Sequence, residues 1–208
     1  MRKFYLLFIG LMLFAGCDYN YLEISKTYNL RDRGPAGGWI FYINPNFKTD
    51  GWKYLEAAPS DQSNGRTWSS LNGPAYLLPT GKAVGDGKNN TELIIAQSTD
   101  SAAQTAKDCR IGGFSDWFLP SKDEVYYMCW ELRGYRYNSG APGSPFQNPE
   151  VPNVSTGGIG NFNDAATGYW SSSDDNGSNA FPFMFSNGYV WSYTKTGSTV
   201  RVRAIRRF

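Results

Sequence analysis

The segment Asp116–Val125 (DWFLPSKDEV) places a lysine and two carboxylates directly after an apolar run. Two neighbouring carboxylates can act as general acid and general base when their environments separate their pKa values. The same residues also fit the start of a helix. Ser121 is a preferred N-cap, Glu124 completes a capping box three residues later, and acidic residues in a first turn suit the helix dipole. We favour the helix start, because it gives every polar residue of the cluster a structural role.

The 208 residues include no histidine. This excludes Ser-His-Asp and Cys-His nucleophilic mechanisms and any histidine-ligated zinc site. An enzyme built from this chain would depend on carboxylate, lysine or tyrosine chemistry, and no carboxylate pair stands out for that purpose. We therefore expect a protein that is not an enzyme and that needs no cofactor.

Residues suited to ligand binding lie near the C terminus. Sugars stack on aromatic rings, and Asp and Asn side chains hydrogen-bond to hydroxyl groups. An alternating strand would place its aromatic residues on one face, although alternation alone leaves open whether that face is buried or exposed. The candidate ligand-binding residues are Tyr189, Trp191 and Tyr193 on a predicted strand and Asp174, Asp175 and Asn176 in the loop before it.

Two ionic alternatives involve the same region. The acidic loop, together with Asn163 and Asp164, offers oxygen ligands of the kind that calcium prefers. Acidic loops are more often simply solvated, so we expect no metal. Several basic residues could form a patch for a sulfated polyanion, or could instead pair with carboxylates at the edge of the core: Lys195, Arg201, Arg203, Arg206 and Arg207.

The first residues are typical of an export signal. Arg2 and Lys3 precede the apolar run from Phe4 to Ala15, which is shorter than the roughly 20 residues that a membrane-spanning helix needs. The following segment, Phe14 to Cys17, resembles the lipobox of bacterial lipoproteins, in which the cysteine carries the lipid. The resemblance implies a signal peptide at 1–16, lipidation of Cys17 and a tether at 17–33. An ordinary secretory peptide with an incidental cysteine is the alternative.

Cleavage after Gly16 would remove two of the 20 basic residues and leave 18 against 18 acidic residues. A neutral chain of this kind is not expected to bind nucleic acid, because counterion-driven affinity needs many clustered cations. We expect the protein in the bacterial cell envelope, attached through its lipid, at the outer membrane or cell surface rather than at the inner membrane.

Cys109 and Cys129 are the two other cysteines, and an exported compartment permits a disulfide between them. Closing the loop of 19 intervening residues would contribute about 3 kcal/mol in the chain-entropy model. Two buried thiols fit the sequence equally well, since cysteine is among the most buried residue types.

The elements that must position these residues are short. With seven Trp, 14 Tyr, 13 Phe and 23 Gly, the composition favours short strands and ordered loops over a helical bundle. We predict one α+β domain at 34–208 with a twisted antiparallel sheet, two or three helices and long ordered loops. Helix signals begin near Asn89, Ser101 and Ser121. Strands are predicted at 39–43, 51–59, 168–173, 179–193 and 199–208, with a hairpin turn at Asn187-Gly188.

Five motifs together resemble a bacterial domain family named after the C-terminal domain of the Legionella collagen-like adhesin. They are GPAGGWIFYI, GWKYLEAAPSDQS, GGFSDWFLPSKDEV, YWSSS and VRVRAIRRF, in that order. A more distant similarity, through the FLPSKDEVY helix start and the closing strand, links the chain to the C-type-lectin-like fold of the formylglycine-generating enzyme. The paired cysteines of that enzyme have no counterpart between Asp174 and Thr199, so its chemistry is not implied.

These resemblances imply a membrane-anchored, adhesin-like binding module whose partner is a glycan or a host or partner protein. The alternatives are a structural lipoprotein of the envelope without a small ligand and, least favoured, an enzyme of the formylglycine-generating-enzyme-like fold.

Overall fold

A computed structural model describes residues 26–136, 146–153, 157–163 and 168–208. The predicted signal peptide at 1–16, the lipidation site Cys17 and residues 18–25 lie outside the described residues. The domain is of the mixed α+β class with twisted antiparallel sheets, as predicted. No helix in the described ranges has the length and apolar character needed to cross a membrane.

The described residues form nine strands, several of them only two residues long. The strands are β1 (Trp39–Ile43), β2 (Tyr54–Ala57), β3 (Tyr135–Arg136), β4 (Phe146–Gln147), β5 (Tyr169–Asp174), β6 (Asn179–Met184), β7 (Tyr189–Val190), β8 (Tyr193–Thr194) and β9 (Ile205–Arg207). Four α-helices accompany them, where two or three were predicted. The helices are α1 (Phe47–Asp50), α2 (Gly87–Gln97), α3 (Ala102–Lys107) and α4 (Lys122–Met128). The unpredicted helix is the single turn α1, which Gly51 ends in a left-handed conformation.

The first sheet joins the two ends of the domain in the order β1-β2-β9, with both pairings antiparallel. One of its faces packs on α4, since Phe41 and Leu55 share a buried cluster with Val125 and Met128. The opposite face carries a smaller cluster around Ile40, Tyr54 and Tyr28. This division follows the alternation of side chains along a strand.

The second sheet is a separate meander at the C-terminal end of the sequence. Strand β6 is its centre, pairing with β5, β7 and β8. The β6–β7 hairpin turns at the predicted Asn187-Gly188 step, where Gly188 has a φ of 70°. Helix α4 contacts β1 of the first sheet and β5 and β6 of the second, so both sheets pack on it.

The strand predicted at 199–208 is wrong for its first half. Only Ile205–Arg207 is regular strand, and it pairs with β2 of the first sheet. The residues before it run along the loop that follows β2, where Val202 accepts from Gln62 and Val200 accepts from Arg66, both at 2.9 Å. The alternating pattern VRVRAI is thus genuine extended chain, but its partner is an irregular loop.

The tether predicted at 17–33 ends earlier than expected. Tyr28 is buried and packs edge-on against Tyr54 with ring centroids 5.3 Å apart. The Arg31 amide donates to the Ile40 carbonyl at 2.7 Å, and the Arg31 guanidinium pairs with Glu131 and Glu150. Residues 26–33 therefore belong to the domain, because Tyr28 completes an aromatic cluster on the outer face of the first sheet.

Cys109 and Cys129 are both buried and both remain thiols, so the structure does not contain the possible disulfide. They pack in different hydrophobic clusters, Cys109 with α3 and Cys129 beside α4. Burial raises the pKa of the Cys109 thiol to about 11, which keeps it protonated and unreactive at neutral pH.

Candidate functional site

Glu124 in the DWFLPSKDEV segment has a structural role. The Ser121 amide donates to Glu124 Oε2 at 2.7 Å, and the Glu124 amide donates back to Ser121 Oγ at 3.3 Å, which is the predicted capping box. The second oxygen, Glu124 Oε1, accepts from the Gly85 amide at 2.9 Å. Glu124 therefore links the start of α4 to the loop before α2.

Burial raises the pKa of Glu124 from 4.5 to about 7, although its hydrogen bonds to the Ser121 and Gly85 amides favour the charged form. Such a value is typical of a catalytic acid or base. Glu124 is nevertheless fully buried, and both of its oxygens already have partners within the domain. The structure thus gives the shifted carboxyl no access to a substrate.

The three candidate aromatic residues lie side by side at the edge of the second sheet. The Tyr189 and Trp191 rings are parallel to within 4°, with centroids 6.2 Å apart, and Trp191 meets Tyr193 at 6.4 Å. Tyr189 is 39% exposed, and the other two are partly exposed. The predicted continuous strand is interrupted between β7 and β8, yet the three rings remain neighbours. We call these three residues the aromatic row.

Two residues of the aromatic row, Trp191 and Tyr193, pack against the domain. Tyr193 packs on the buried Trp170 with ring centroids 6.0 Å apart. Trp191 lies on Gly168, where a Cβ atom would come within 2.7 Å of the indole. A glycine is required at this position both for that close approach and for its φ of 63°. Because the rings are held from beneath, ligand binding would not have to order them first.

The three loop candidates differ in their surroundings. Asp174 is buried, and its carboxylate accepts from the Lys195 ammonium at 2.5 Å and from the Gly177 amide at 2.8 Å. This argues against the prediction that Asp174 contacts a ligand, because its oxygens are inaccessible and stabilise the turn. Asn176 is exposed, but its Oδ1 accepts from the Asn179 amide at 2.9 Å. Asp175 accepts from the Ser192 hydroxyl at 2.6 Å and so ties the loop to the segment that carries the aromatic row.

The basic residues point mostly into the domain. Lys195, Arg203 and Arg206 are buried, where they pair with Asp174, Asp61 and Glu56 respectively. This is the alternative in which the cations neutralise carboxylates at the core edge, and it contradicts a polyanion patch built from these side chains.

The acidic loop also shows no clustered calcium ligands. Among the residues that the structure describes, no group of three acidic, cysteine or histidine side chains is placed to hold a metal ion. Asp164, one of the possible calcium ligands, lies outside the described residues.

A polar cleft that the sequence did not indicate lies beside the aromatic row. It has a volume of about 380 Å³, and its lining residues are Asp61, Asn64, Gly157, Gly158, Asn161, Phe162, Asn163 and Arg201. The Arg201 amide donates to the Gly168 carbonyl at 3.0 Å, and Gly168 is the residue beneath Trp191. The cleft and the row are therefore joined through one residue.

A cluster of charged and polar side chains around Asp61 forms the base of this cleft. Asp61 accepts from Arg203 Nε at 2.8 Å and from the Tyr169 hydroxyl at 3.1 Å, and Arg201 Nη1 lies 3.4 Å away. Burial, reinforced by the Asp61 charge, raises the pKa of Tyr169 to about 12. Asp61 and Arg201 are 140 positions apart, so no local motif could have revealed the cleft.

No protein-family model matches this chain, and no curated protein matches it. The aromatic row, the adjoining polar cleft and the local chemistry of their side chains are thus the basis on which a function is assigned.

Proposed function

We propose that the protein is an exported, lipid-anchored binding module of the bacterial cell envelope that recognises a glycan through the aromatic row. The observation that carries the proposal is the parallel pair formed by Tyr189 and Trp191, which stays partly exposed at the surface. Sugar rings present C–H faces that pack on aromatic rings, and a ring held in place binds at little entropic cost.

The polar cleft supports the same ligand class. Asn161 and Asn163 are exposed and line the cleft, and amide side chains both donate to and accept from hydroxyl groups. A volume of about 380 Å³ falls within the range of small-ligand sites. The hydrogen bond from the Arg201 amide to the Gly168 carbonyl connects the cleft to the backbone beneath Trp191.

The proposal also includes a lipid anchor and a specific fold. Cys17 would carry the lipid, and the domain would be of the C-type-lectin-like kind. Three features support that fold: the first and last strands share one sheet, a second small sheet precedes the closing strand, and long ordered loops connect them. In this interpretation the chain is not an enzyme, and its partners are an envelope membrane and a glycan.

A glycan array with the mature protein tests the proposal. We expect retention of a defined set of glycans, and a Kd for the best of them that rises about tenfold in Trp191→Ala, which corresponds to about 1.4 kcal/mol of lost stacking. Tyr189→Ala should weaken binding in the same direction, because its ring extends the same surface.

Tyr127→Ala is the matched control, since Tyr127 is 36% exposed and lies on α4 away from the row. Its glycan affinity should equal that of the wild type, and near-ultraviolet circular dichroism should show all three variants folded. Retention of no glycan, or equal affinities for Trp191→Ala and wild type, would contradict the proposal. A protein captured through the same aromatic residues would instead favour a protein ligand.

A further inference from the structure

We propose that the outer face of the first sheet docks on an anionic phospholipid surface and so fixes the orientation of the domain at the membrane. This inference rests on the proposed lipid anchor at Cys17. The face, called here the entry face, consists of Lys26, Tyr28, Ile43, Phe47, Lys53, Tyr54 and Phe208.

Aromatic side chains form the centre of the entry face. The Tyr28, Tyr54 and Phe208 rings pack together with centroids 5.3 to 5.7 Å apart. They line a mostly apolar groove of about 380 Å³ that Lys26, Lys53 and Pro35 complete. Ile43 is the cross-strand neighbour of Tyr54, so it projects from the same side of the sheet.

Exposed apolar side chains and ammonium groups surround this groove. Ile43 and Phe47 are each 37% exposed. The Lys53 ammonium lies 5.2 Å from the centroids of both the Phe47 and Tyr54 rings, and the Lys26 ammonium lies 5.0 Å from the Tyr28 ring. Lysines beside exposed aromatic and aliphatic groups suit the interface of an anionic bilayer, where the ammonium meets phosphate and the ring enters the headgroup layer.

One acidic side chain, Asp50, lies on α1 beside Lys48. It accepts from the Asn44 amide nitrogen at 2.9 Å, so it is partly engaged within its own turn. Lys26 and Lys53 therefore outweigh it, and the charge of the face is complementary to phospholipids such as phosphatidylglycerol.

The length of the chain before Lys26 places this face close to the lipid. Residues 18–25 separate Cys17 from Lys26. Even fully extended, that segment spans no more than about 30 Å. The domain therefore cannot rise far from the bilayer, and the surface around Lys26 is the part that the anchor holds nearest to it.

Docking in this orientation leaves the aromatic row accessible. The entry face is the side of the first sheet opposite α4, since Phe41 and Leu55 point towards the helix while Ile40 and Tyr54 do not. Phe41 and Leu55 also share their buried cluster with Tyr169 and Phe183 of the second sheet, which therefore packs on the inner side of the first. The second sheet, with Tyr189 and Trp191, thus lies on the side of the domain away from the lipid.

Fluorescence quenching in proteoliposomes tests the proposal with the mature lipidated protein. A fluorophore is attached at Thr49→Cys on α1 or at Thr196→Cys near β8; both residues are exposed, whereas Cys109 and Cys129 are buried. Vesicles of phosphatidylcholine, with or without phosphatidylglycerol, carry nitroxide-labelled lipid as quencher. We expect strong quenching at position 49 with phosphatidylglycerol, weak quenching at position 196, and loss of the difference in high salt.

The double variant Lys26→Glu/Lys53→Glu should reduce quenching at position 49 several-fold, towards the level at position 196. Lys82→Glu/Lys88→Glu is the matched control, because it makes the same change in net charge at two exposed lysines outside the entry face. Equal quenching at the two positions, or equal loss in the control, would overturn the proposal. Contact between the position-49 fluorophores of two protein molecules would also overturn it, because a second copy of the chain would then cover the face.

The two proposals fail in distinguishable ways. Metabolic labelling with a fatty acid reports lipidation of the chain directly, and replacement of Cys17 should abolish it. Labelling without position-dependent quenching would refute docking and leave the anchor intact. An absence of labelling would refute both the lipid anchor and the docking. Glycan binding by the aromatic row is tested separately, by the glycan array.

Discussion

The substitution Glu124→Gln tests how the buried carboxyl at the start of α4 contributes to stability. In the folded protein the pKa of Glu124 is raised from 4.5 to about 7. The protonated form is therefore the favoured form of the fold. The contribution of protonated Glu124 to the free energy of unfolding is fully present below about pH 4.5, and it is lost as the pH rises through 7. At 1.36 kcal/mol for each pKa unit, the raised pKa corresponds to about 3 kcal/mol between the two ends of that range.

Glutamine removes the charge but cannot replace both oxygens. Glu124 accepts from the Ser121 amide with Oε2 and from the Gly85 amide with Oε1, whereas glutamine has a single oxygen. One amide donor would then face an NH₂ group, at a cost of about 1–3 kcal/mol for the unpaired buried group. We expect the variant to be less stable than the wild type at pH 5. The difference should shrink to zero or reverse by pH 8, because only the wild type pays for ionisation.

Urea unfolding followed by tryptophan fluorescence at pH 5, 6, 7 and 8 measures this difference, provided that the m-value stays constant. Other carboxyls with shifted pKa values, such as Glu56 and Glu131, are present in both proteins and cancel. Glu92→Gln is the control, since it makes the same change of side chain at an exposed partner of Lys107, and its free energy of unfolding should stay within about 1 kcal/mol of the wild type. A Glu124→Gln difference that stays constant or grows with pH would refute the reasoning, because it would mean that the carboxylate is the favoured form.

Two further predictions concern buried groups of the domain. Lys195→Met should destabilise the protein by about 3–5 kcal/mol in urea unfolding, because it leaves the buried Asp174 carboxylate without its cation. A loss below about 1 kcal/mol would contradict this reasoning. In the folded protein without reductant, Cys109 should resist alkylation at pH 8, because burial holds its pKa near 11. Denaturation without reductant should then make both Cys109 and Cys129 alkylate, and mass spectrometry showing neither modified would reveal a disulfide.

Local patterns in the sequence predicted most of the regular elements. Ser121 and Glu124 determine the start of α4 through contacts three residues apart, and Asn187-Gly188 determines the β6–β7 hairpin. The apolar run WIFYI predicted β1 with its observed bounds. In each case the residues that specify the element are neighbours in the chain, so the interactions that form it can be predicted from the local sequence.

The remaining features depend on contacts between distant residues. The regular alternation of Arg203 with Val200 and Val202 leaves open whether Arg203 faces solvent or pairs with a carboxylate, because its partner Asp61 lies 142 positions away. Asp174 resembled a solvated loop acid for the same reason, since Lys195 follows it by 21 positions. The polar cleft likewise combines segments around positions 61, 161 and 201. A pattern within ten or twenty residues carries no information about such pairings.

The inward position of the basic residues changes what kind of ligand the molecule suits. Each of these buried cations is paired with a carboxylate of the domain, so none of the three is available to an anionic ligand at the second sheet. Recognition there would depend on ring faces and amide hydrogen bonds, which is the chemistry of neutral sugars. A purely structural envelope lipoprotein would gain from burying Tyr189 and Trp191, since covering apolar surface is worth about 25 cal/mol per Å². Gly168 and Tyr193 support the Trp191 ring, Tyr189 stacks on it, and both rings stay partly exposed, which favours a site that a ligand covers.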